Sequence, residues 1–134
     1  MATSMRNPGF IRQAIAEATI ADGVTCIVGT ADYSATVAAA NPTAGVIGIA
    51  KVDGGGSVAS GGTVDIVTTG IYPGIAQASI TQGQAVTVGD SAGGLKPATP
   101  SAGVNAMVLG IAQADAAAGE RVAVQIGIYL MQGA

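Results

Sequence analysis

The strongest constraint on the fold is a repeat within the sequence. Residues 15–29 read IAEATIADGVTCIVG, and residues 75–89 read IAQASITQGQAVTVG. The two segments match at a constant offset of 60 positions, with isoleucine, alanine, glycine and valine in the same places. So many coincidences at one offset indicate an internal duplication.

The duplication extends beyond these two segments. Gly48-Ile49-Ala50 corresponds to 110–112, and Gly70-Ile71-Tyr72 corresponds to 127–129. The first copy has a longer, Gly-rich connector at 53–62. Because insertions of this kind fall in surface loops, we expect strands on both sides of the connector.

Alternation of apolar residues is clearest near the end of the chain. From Arg121 onward, Val122, Val124, Ile126 and Ile128 occupy every second position, which is typical of a half-buried β-strand. The predicted strands lie near 24–28, 46–51, 63–68, 85–88, 107–112 and 121–130. Many short strands separated by Gly and Pro predict an all-β fold, a small β-barrel or sandwich built from the internal duplication. Since only 3% of residues are aromatic, the core must consist of Val, Ile, Leu and Ala.

The 134 residues have the length of one domain. We divide the chain into an extended N-terminal arm, 1–13, and a single β domain, 14–134, with copies at about 14–73 and 74–134. The arm contains the Asn7-Pro8-Gly9 break and the only Phe of the protein. It is either a disordered terminus or a docking arm that becomes ordered on a partner.

The composition is unusual for a soluble monomer. Hydrophobic residues make up 49% of the chain and charged residues 10%, against about 25% charged residues in an average domain. We therefore expect assembly with other subunits, which would bury much of the apolar surface. The net charge is −3 and the basic residues are dispersed, so no binding to nucleic acid is expected.

Two further patterns bear on location. No run of 18 or more apolar residues occurs, so we expect no helix that spans a membrane. The N-terminus lacks the uninterrupted apolar core of a secretory signal, because Arg12, Gln13 and Glu17 interrupt it. These patterns predict a protein that is made and used in the cytoplasm of the producing cell.

The reactive side chains do not favour an enzyme. The sequence has no His, and its Asp and Glu residues are dispersed, several of them in predicted turns where such side chains bind nearby backbone. Cys26 has no partner for an internal disulfide and is interpreted as a small apolar residue in a strand. We expect no catalytic residue and no metal site.

Two Gly-rich stretches have the composition of nucleotide-binding loops, but the residues in and after them do not fit such loops. Residues 54–59 (GGGSVA) precede a predicted strand, whereas a pyrophosphate loop precedes a helix. Residues 89–96 (GDSAGGLK) lack the adjacent Gly-Lys-Ser/Thr of a phosphate-binding loop. No cofactor is therefore expected.

The chain resembles a known family over about residues 14–130. The segment 108–112, an Ala-rich connector, Gly119-Glu120 and the segment 122–126, with 83–90 upstream, resemble the small capsid decoration (cement) proteins of tailed bacteriophages. The resemblance implies a β-rich homotrimer on the outer surface of the virion head, bound to the major capsid protein. A protein that binds only the expanded shell would stabilise that state by its binding free energy.

Under this resemblance, the arm is a candidate for capsid docking. Met5, Phe10 and Ile11 would be its apolar anchors, with Arg6 and Arg12 beside them. We expect deletion of 1–13 to leave the oligomer folded and to abolish capsid binding. The alternative is another structural subunit, such as the base of a phage head fibre, a tail component or an adhesin-like β domain. A small-molecule enzyme would need a cluster of carboxylates in a pocket.

Overall fold

The computed structural model describes residues 6–134, and these residues form an all-β protein. Within the described residues, one short 3-10 turn, Asp53–Gly55, interrupts the strands. In chain order the strands are β1 Asn7–Pro8, β2 Ile11–Ala16, β3 Ile20–Ala21, β4 Thr25–Val28, β5 Ser34–Val37, β6 Val46–Lys51, β7 Ser57–Val58, β8 Thr63–Val67, β9 Gly70–Ile75, β10 Ala85–Val88, β11 Leu95–Pro97, β12 Asn105–Ala112 and β13 Arg121–Gln132.

The first half of the chain forms a closed five-stranded barrel with the strand order β2-β5-β4-β6-β8. Its pairs are antiparallel except for β2 with β5, which are parallel. The second half forms a six-stranded sheet with the order β1-β9-β13-β12-β10-β11. A parallel bridge from Ala76 to Leu95 brings the end of β9 next to β11. The strands β9, β13, β12, β10 and β11 therefore also form a barrel.

The two barrels repeat the same backbone hydrogen bonds. Ala16 pairs in parallel with Ala35. Ala76 and Leu95, each 60 positions later in the sequence, also pair in parallel. Gly23 N donates to Ala50 O at 2.9 Å, and Gly83 N donates to Ala112 O at 2.8 Å. Both glycines have a positive φ, 87° and 89°, a conformation that residues with a Cβ rarely adopt. The structure therefore confirms the duplicated all-β fold.

One proposed correspondence within the repeat is wrong. Gly70-Ile71-Tyr72 does not match 127–129, because it lies in β9, the first strand of the second barrel. The strand equivalent to β13 is β8: Gly61 N, just before β8, donates to Ala16 O at 2.7 Å, and Gly119 N, just before β13, donates to Ala76 O at 2.7 Å. A match of three residues is too short to establish a correspondence between copies. In the structure, the two copies run over 11–67 and 70–132.

The predicted arm is shorter than 1–13. Residues 11–13 lie in β2, where they pair with β8 inside the first barrel. Asn7 and Pro8 pair with Ile71 and Gly70 at the edge of β9. The chain from residue 7 onward is therefore part of the folded body, because its backbone groups find partners in both barrels.

The apolar core has two parts. The first fills the first barrel with small and branched side chains: Ala14, Ala16, Ile20, Val24, Cys26, Ala35, Ile47, Ala50, Val64 and Ile66. The second fills the second barrel and also takes in Ile49 and Val67 from the first, because β6 packs against β9, β12 and β13. The predicted Val, Ile, Leu and Ala core is present, with two additions, the fully buried Cys26 and Tyr72.

Candidate functional site: two exposed surfaces

The most buried charged group joins the two barrels. Asp22, in the turn between β3 and β4, has a side chain that is only 2% exposed. Its carboxylate accepts hydrogen bonds from Val52 N (2.8 Å), the Tyr72 hydroxyl (2.8 Å) and Arg121 Nη2 (2.9 Å). Val52 belongs to the first barrel, and Tyr72 and Arg121 to the second. We call these four residues the Asp22 cluster.

The charge of Asp22 is compensated within this cluster. Burial opposes ionisation, but the bonds from Val52, Tyr72 and Arg121 outweigh it and lower the pKa of Asp22. Burial, followed by the bond to Asp22, raises the pKa of Tyr72 to about 12. The carboxylate is held by three donors, so the Asp22 cluster fixes the two barrels relative to each other and presents no base to solvent.

Arg6, one of the predicted docking residues, lies against the Asp22 cluster. Its Nη2 lies 3.9 Å from the Asp22 carboxylate, and its guanidinium carbon lies 5.2 Å from the centre of the Tyr72 ring. The distance to the ring is within the range of a cation–π contact. Arg6 is thus engaged within the chain, although 53% of its side chain is exposed.

A second carboxylate organises a turn of the first barrel. Glu17 accepts hydrogen bonds from the Ser34 hydroxyl (2.6 Å), Ala31 N (2.8 Å) and Thr30 N (2.9 Å). These donors, with that of Ser34 the strongest, lower the pKa of Glu17 to about 2. Four other carboxylates also accept bonds from backbone amides in turns or loops: Asp22, Asp90, Asp115 and Glu120. The predicted binding of backbone within the same turn is confirmed for Asp90 and Glu120, whereas Glu17, Asp22 and Asp115 bind amides of more distant segments.

The outer wall of the first barrel presents large apolar side chains. Along β2, Ala14 and Ala16 point into the barrel, whereas Ile11 and Ile15 point outward and are 45% and 50% exposed. At one end of this row Ile15 N donates to Tyr33 O, and Tyr33 is 80% exposed. At the other end, Phe10 is 78% exposed. We call Phe10, Ile11, Ile15 and Tyr33 the β2 surface.

Two of the five predicted docking residues, Phe10 and Ile11, are part of this surface. Arg12 is exposed in β2, but strand alternation puts it on the face of Ala14 and Ala16, opposite Ile11. Arg6 turns instead to the Asp22 cluster, and Met5 lies outside the described residues. Sequence reasoning missed Ile15 and Tyr33. The signal for Ile15 was present, because Ile at 11 and 15 alternates with the small Ala at 14 and 16, which favours a barrel filled by Ala with Ile outside.

The end of β13 forms a second exposed surface, an open sheet edge. β12 pairs with β13 as far as Gln132, whereas β9 covers the opposite edge only as far as Ile126. No strand within residues 6–134 covers that edge along 127–132. We call 127–132 the β13 edge.

The backbone of the β13 edge has groups that point outward. Met107 lies opposite Leu130, and its N–H points away from β13 because it donates to Pro42 O at 2.9 Å. In such an antiparallel pair the backbone groups of both residues point away from each other, so those of Leu130 face the open edge. The side chains of Tyr129 and Leu130 are 42% and 51% exposed. An open edge of this kind can pair with another extended strand.

Neither surface has the chemistry of a metal centre. Within residues 6–134, no three His, Cys, Asp or Glu side chains lie close enough to share a metal ion. The described part of the chain also has no helix that is long and apolar enough to cross a membrane.

No protein-family model matches this chain, and no curated protein matches it. Among solved structures, it is similar to the crystal structure of the N base of head fibre gp8.5 of bacteriophage phi29, with a TM-score of 0.62 and 21% sequence identity. The match covers 88% of this chain and 93% of that chain. The two proteins share one fold. Because either barrel alone spans only about half of the chain, the shared fold includes both barrels.

Proposed function

We propose that this protein is a structural subunit of a bacteriophage virion. The observation that carries the proposal is the fold shared with the phi29 head fibre N base over nearly the full length of both chains. The low content of charged residues and the exposed β2 surface support a protein whose surface is covered by other subunits.

In this proposal the protein sits on the outer surface of the head and contacts the major capsid protein. Two roles fit this position: the base of a head fibre, and a decoration protein that stabilises the expanded head. The shared fold favours the head fibre base, and the resemblance in sequence favours the decoration protein. Both roles need one face that binds the head.

The β2 surface is the face we assign to the head. Burying a large apolar side chain contributes roughly 1.5–3 kcal/mol, and Phe10 and Tyr33 expose the largest share of their area. The two aromatic residues lie at opposite ends of the isoleucine row. Aromatic side chains are among the residue types that dominate binding energy at protein interfaces.

The β13 edge is the surface we assign to contact between copies, in a homotrimer. Its outward backbone groups would pair with a strand of the neighbouring copy. A head-to-tail contact of this kind closes into a ring when the rotation between copies allows it. We assign no catalytic role, since the carboxylates of Glu17 and Asp22 are held by structural hydrogen bonds.

The test is binding to heads that lack this protein. We expect the purified protein to co-sediment with expanded heads in a fixed, saturable ratio. The double variant F10S/Y33S should bind at least about tenfold more weakly, because the loss of about 1.4 kcal/mol corresponds to a factor of ten. The control is V104S, which replaces another exposed apolar side chain (51%) on the second barrel.

Two results count against the proposal. If the wild-type protein does not bind heads at any stage of maturation, the assignment to the head is wrong. If F10S/Y33S binds as V104S does, the head contact lies elsewhere than at the β2 surface. Deletion of 1–13 is not a clean test, since it would remove half of β2 and open the first barrel.

A further inference from the structure

A cleft of about 270 Å³ opens on the second barrel, next to the strand pair β12–β13. Thr87 of β10 and Lys96 of β11 lie opposite each other in the sheet, and both line it. The loop 99–105 forms one side, and Asn41 from the first barrel contributes to the rim. Asn41 has a positive φ of 55° and its N–H donates to Val88 O of β10, so a hydrogen bond to the second barrel holds this residue at the cleft.

The polar side chains around this cleft are uncommitted. Five of them make no hydrogen bond to another described residue: Asn41, Lys96, Thr99, Ser101 and Asn105. Thr87 differs, because its hydroxyl donates to Met107 O at 2.8 Å. Polar groups that converge on one concave site can fix the orientation of a ligand.

The charge in the cleft is positive. Within the described residues, ion pairs connect Arg6, Lys51 and Arg121 with carboxylates, whereas Lys96 has no such partner. No Asp or Glu lines the cleft. The site therefore offers one ammonium group to an anion, together with amide and hydroxyl groups that both donate and accept hydrogen bonds.

The remaining wall is apolar. Pro100, Val104 and Ala106 line the cleft beside the polar groups. Its volume is just below the roughly 300–1,000 Å³ of sites for drug-sized ligands, so it suits a ligand of about one sugar ring. An ammonium group, a set of amides and hydroxyls and an apolar wall together complement a ring that carries one carboxylate, several hydroxyls and an apolar C–H face.

We infer that this cleft binds an acidic sugar, either free or as one unit of a polysaccharide. Lys96 binds the carboxylate, and Asn41 and Asn105 bind ring hydroxyls from two sides. The inference goes beyond the structural role proposed above and does not depend on it. A protein that forms no virion contact would still have this cleft.

The experiment is a titration of the ¹⁵N-labelled protein with sodium D-glucuronate at constant ionic strength, followed by amide chemical shifts. We expect saturable shifts confined to residues around the cleft. K96Q should weaken binding at least about tenfold, as the loss of a charge-assisted hydrogen bond predicts. K51Q, which removes the same charge from β6, should bind as the wild type does. A fully dispersed spectrum of K96Q shows that the variant is folded.

Other probes distinguish a free acidic sugar from a polysaccharide, and an acidic sugar from other ligands. D-glucose should bind more weakly than glucuronate, and a glucuronate oligosaccharide that binds more tightly than the monosaccharide would identify a polymer as the source. Equal affinity for free and polymeric forms would identify a single sugar unit. The inference is overturned if no saturable shift occurs, if K96Q binds as K51Q does, or if acetate or phosphate binds as tightly as glucuronate. Tighter binding of an acidic peptide would also overturn it, and would assign the cleft to a protein.

Discussion

Arg121 of the second barrel donates a 2.9 Å hydrogen bond to Asp22 of the first, across 99 positions of the chain. Because the Asp22 side chain is almost fully buried, loss of its charge leaves Arg121 without a counter-ion at the contact between the barrels. We expect D22N to lower the free energy of unfolding by about 1–3 kcal/mol, less than for a fully buried pair because a third of Arg121 is exposed. Urea unfolding measures this difference.

The control for this prediction is D32N, which removes a charge of the same sign from an exposed position in the turn after β4. It should change the free energy of unfolding by less than about 0.5 kcal/mol. Equal effects of D22N and D32N would show that the Asp22 cluster does not hold the barrels together.

The pH dependence of stability should reflect Glu17. Its pKa is about 2 in the folded protein against an ordinary value of 4.5, so the unfolded chain binds a proton more readily. The stabilisation from Glu17 is therefore complete above pH 4.5 and is lost as the pH falls towards 2. In thermal unfolding curves, the Tm of the wild type should exceed that of E17Q at pH 7, and the difference should shrink below pH 4.5. A difference that stays constant down to pH 2 would contradict the role of Glu17 as an ionised acceptor.

Close strand contact makes two equivalent glycines sensitive to substitution. A Cβ at Gly110 would collide with Gln125 O on β13, and a Cβ at Gly48 would collide with Val67 O on β8. We expect G110A to lower the free energy of unfolding by about 1–3 kcal/mol or more, since the colliding atom belongs to the backbone. G127A is the matched control on β13, because a Cβ there meets no atom within 4 Å. If denaturant curves show similar losses for both variants, strand contact is not the reason for Gly110.

The sequence predicted the strands in which branched apolar residues recur between turn residues. The six predicted strands correspond to β4, β6, β8, β10, β12 and β13, in which branched apolar residues recur and turn residues mark the ends. β2 was missed because its pattern is reversed, with small Ala14 and Ala16 inside the barrel. β9 was missed because Pro73 argues against a strand that is paired on both edges.

The site was less predictable than the fold. Phe10 and Ile11, which the sequence suggests as docking residues, are exposed, and their role in docking stays a prediction. Nothing in the sequence indicates that Arg6 turns to Tyr72 or that Asp22 meets Arg121, because such contacts depend on how the two barrels pack. The open β13 edge depends on where β9 begins, which only the sheet register reveals.

Self-association should depend on the β13 edge. In the wild type, we expect sedimentation equilibrium to detect an oligomer. L130K places a charge beside the outward backbone groups of the edge and should shift the protein towards monomer, since edge lysines oppose strand pairing. Q125K is the control, because Gln125 is also exposed on β13 but has β9 and β12 on its two edges. A wild-type protein that stays monomeric, or equal dissociation of both variants, would contradict the assignment.

The central claim is that the protein binds the outside of a phage head. The most direct measurement is a cryo-EM reconstruction of heads that lack the protein, after incubation with it in purified form. We predict added density on the outer face of the shell, into which the two barrels fit with Phe10 and Tyr33 against the major capsid protein. Heads without added density, or density found only at the tail, would contradict the claim.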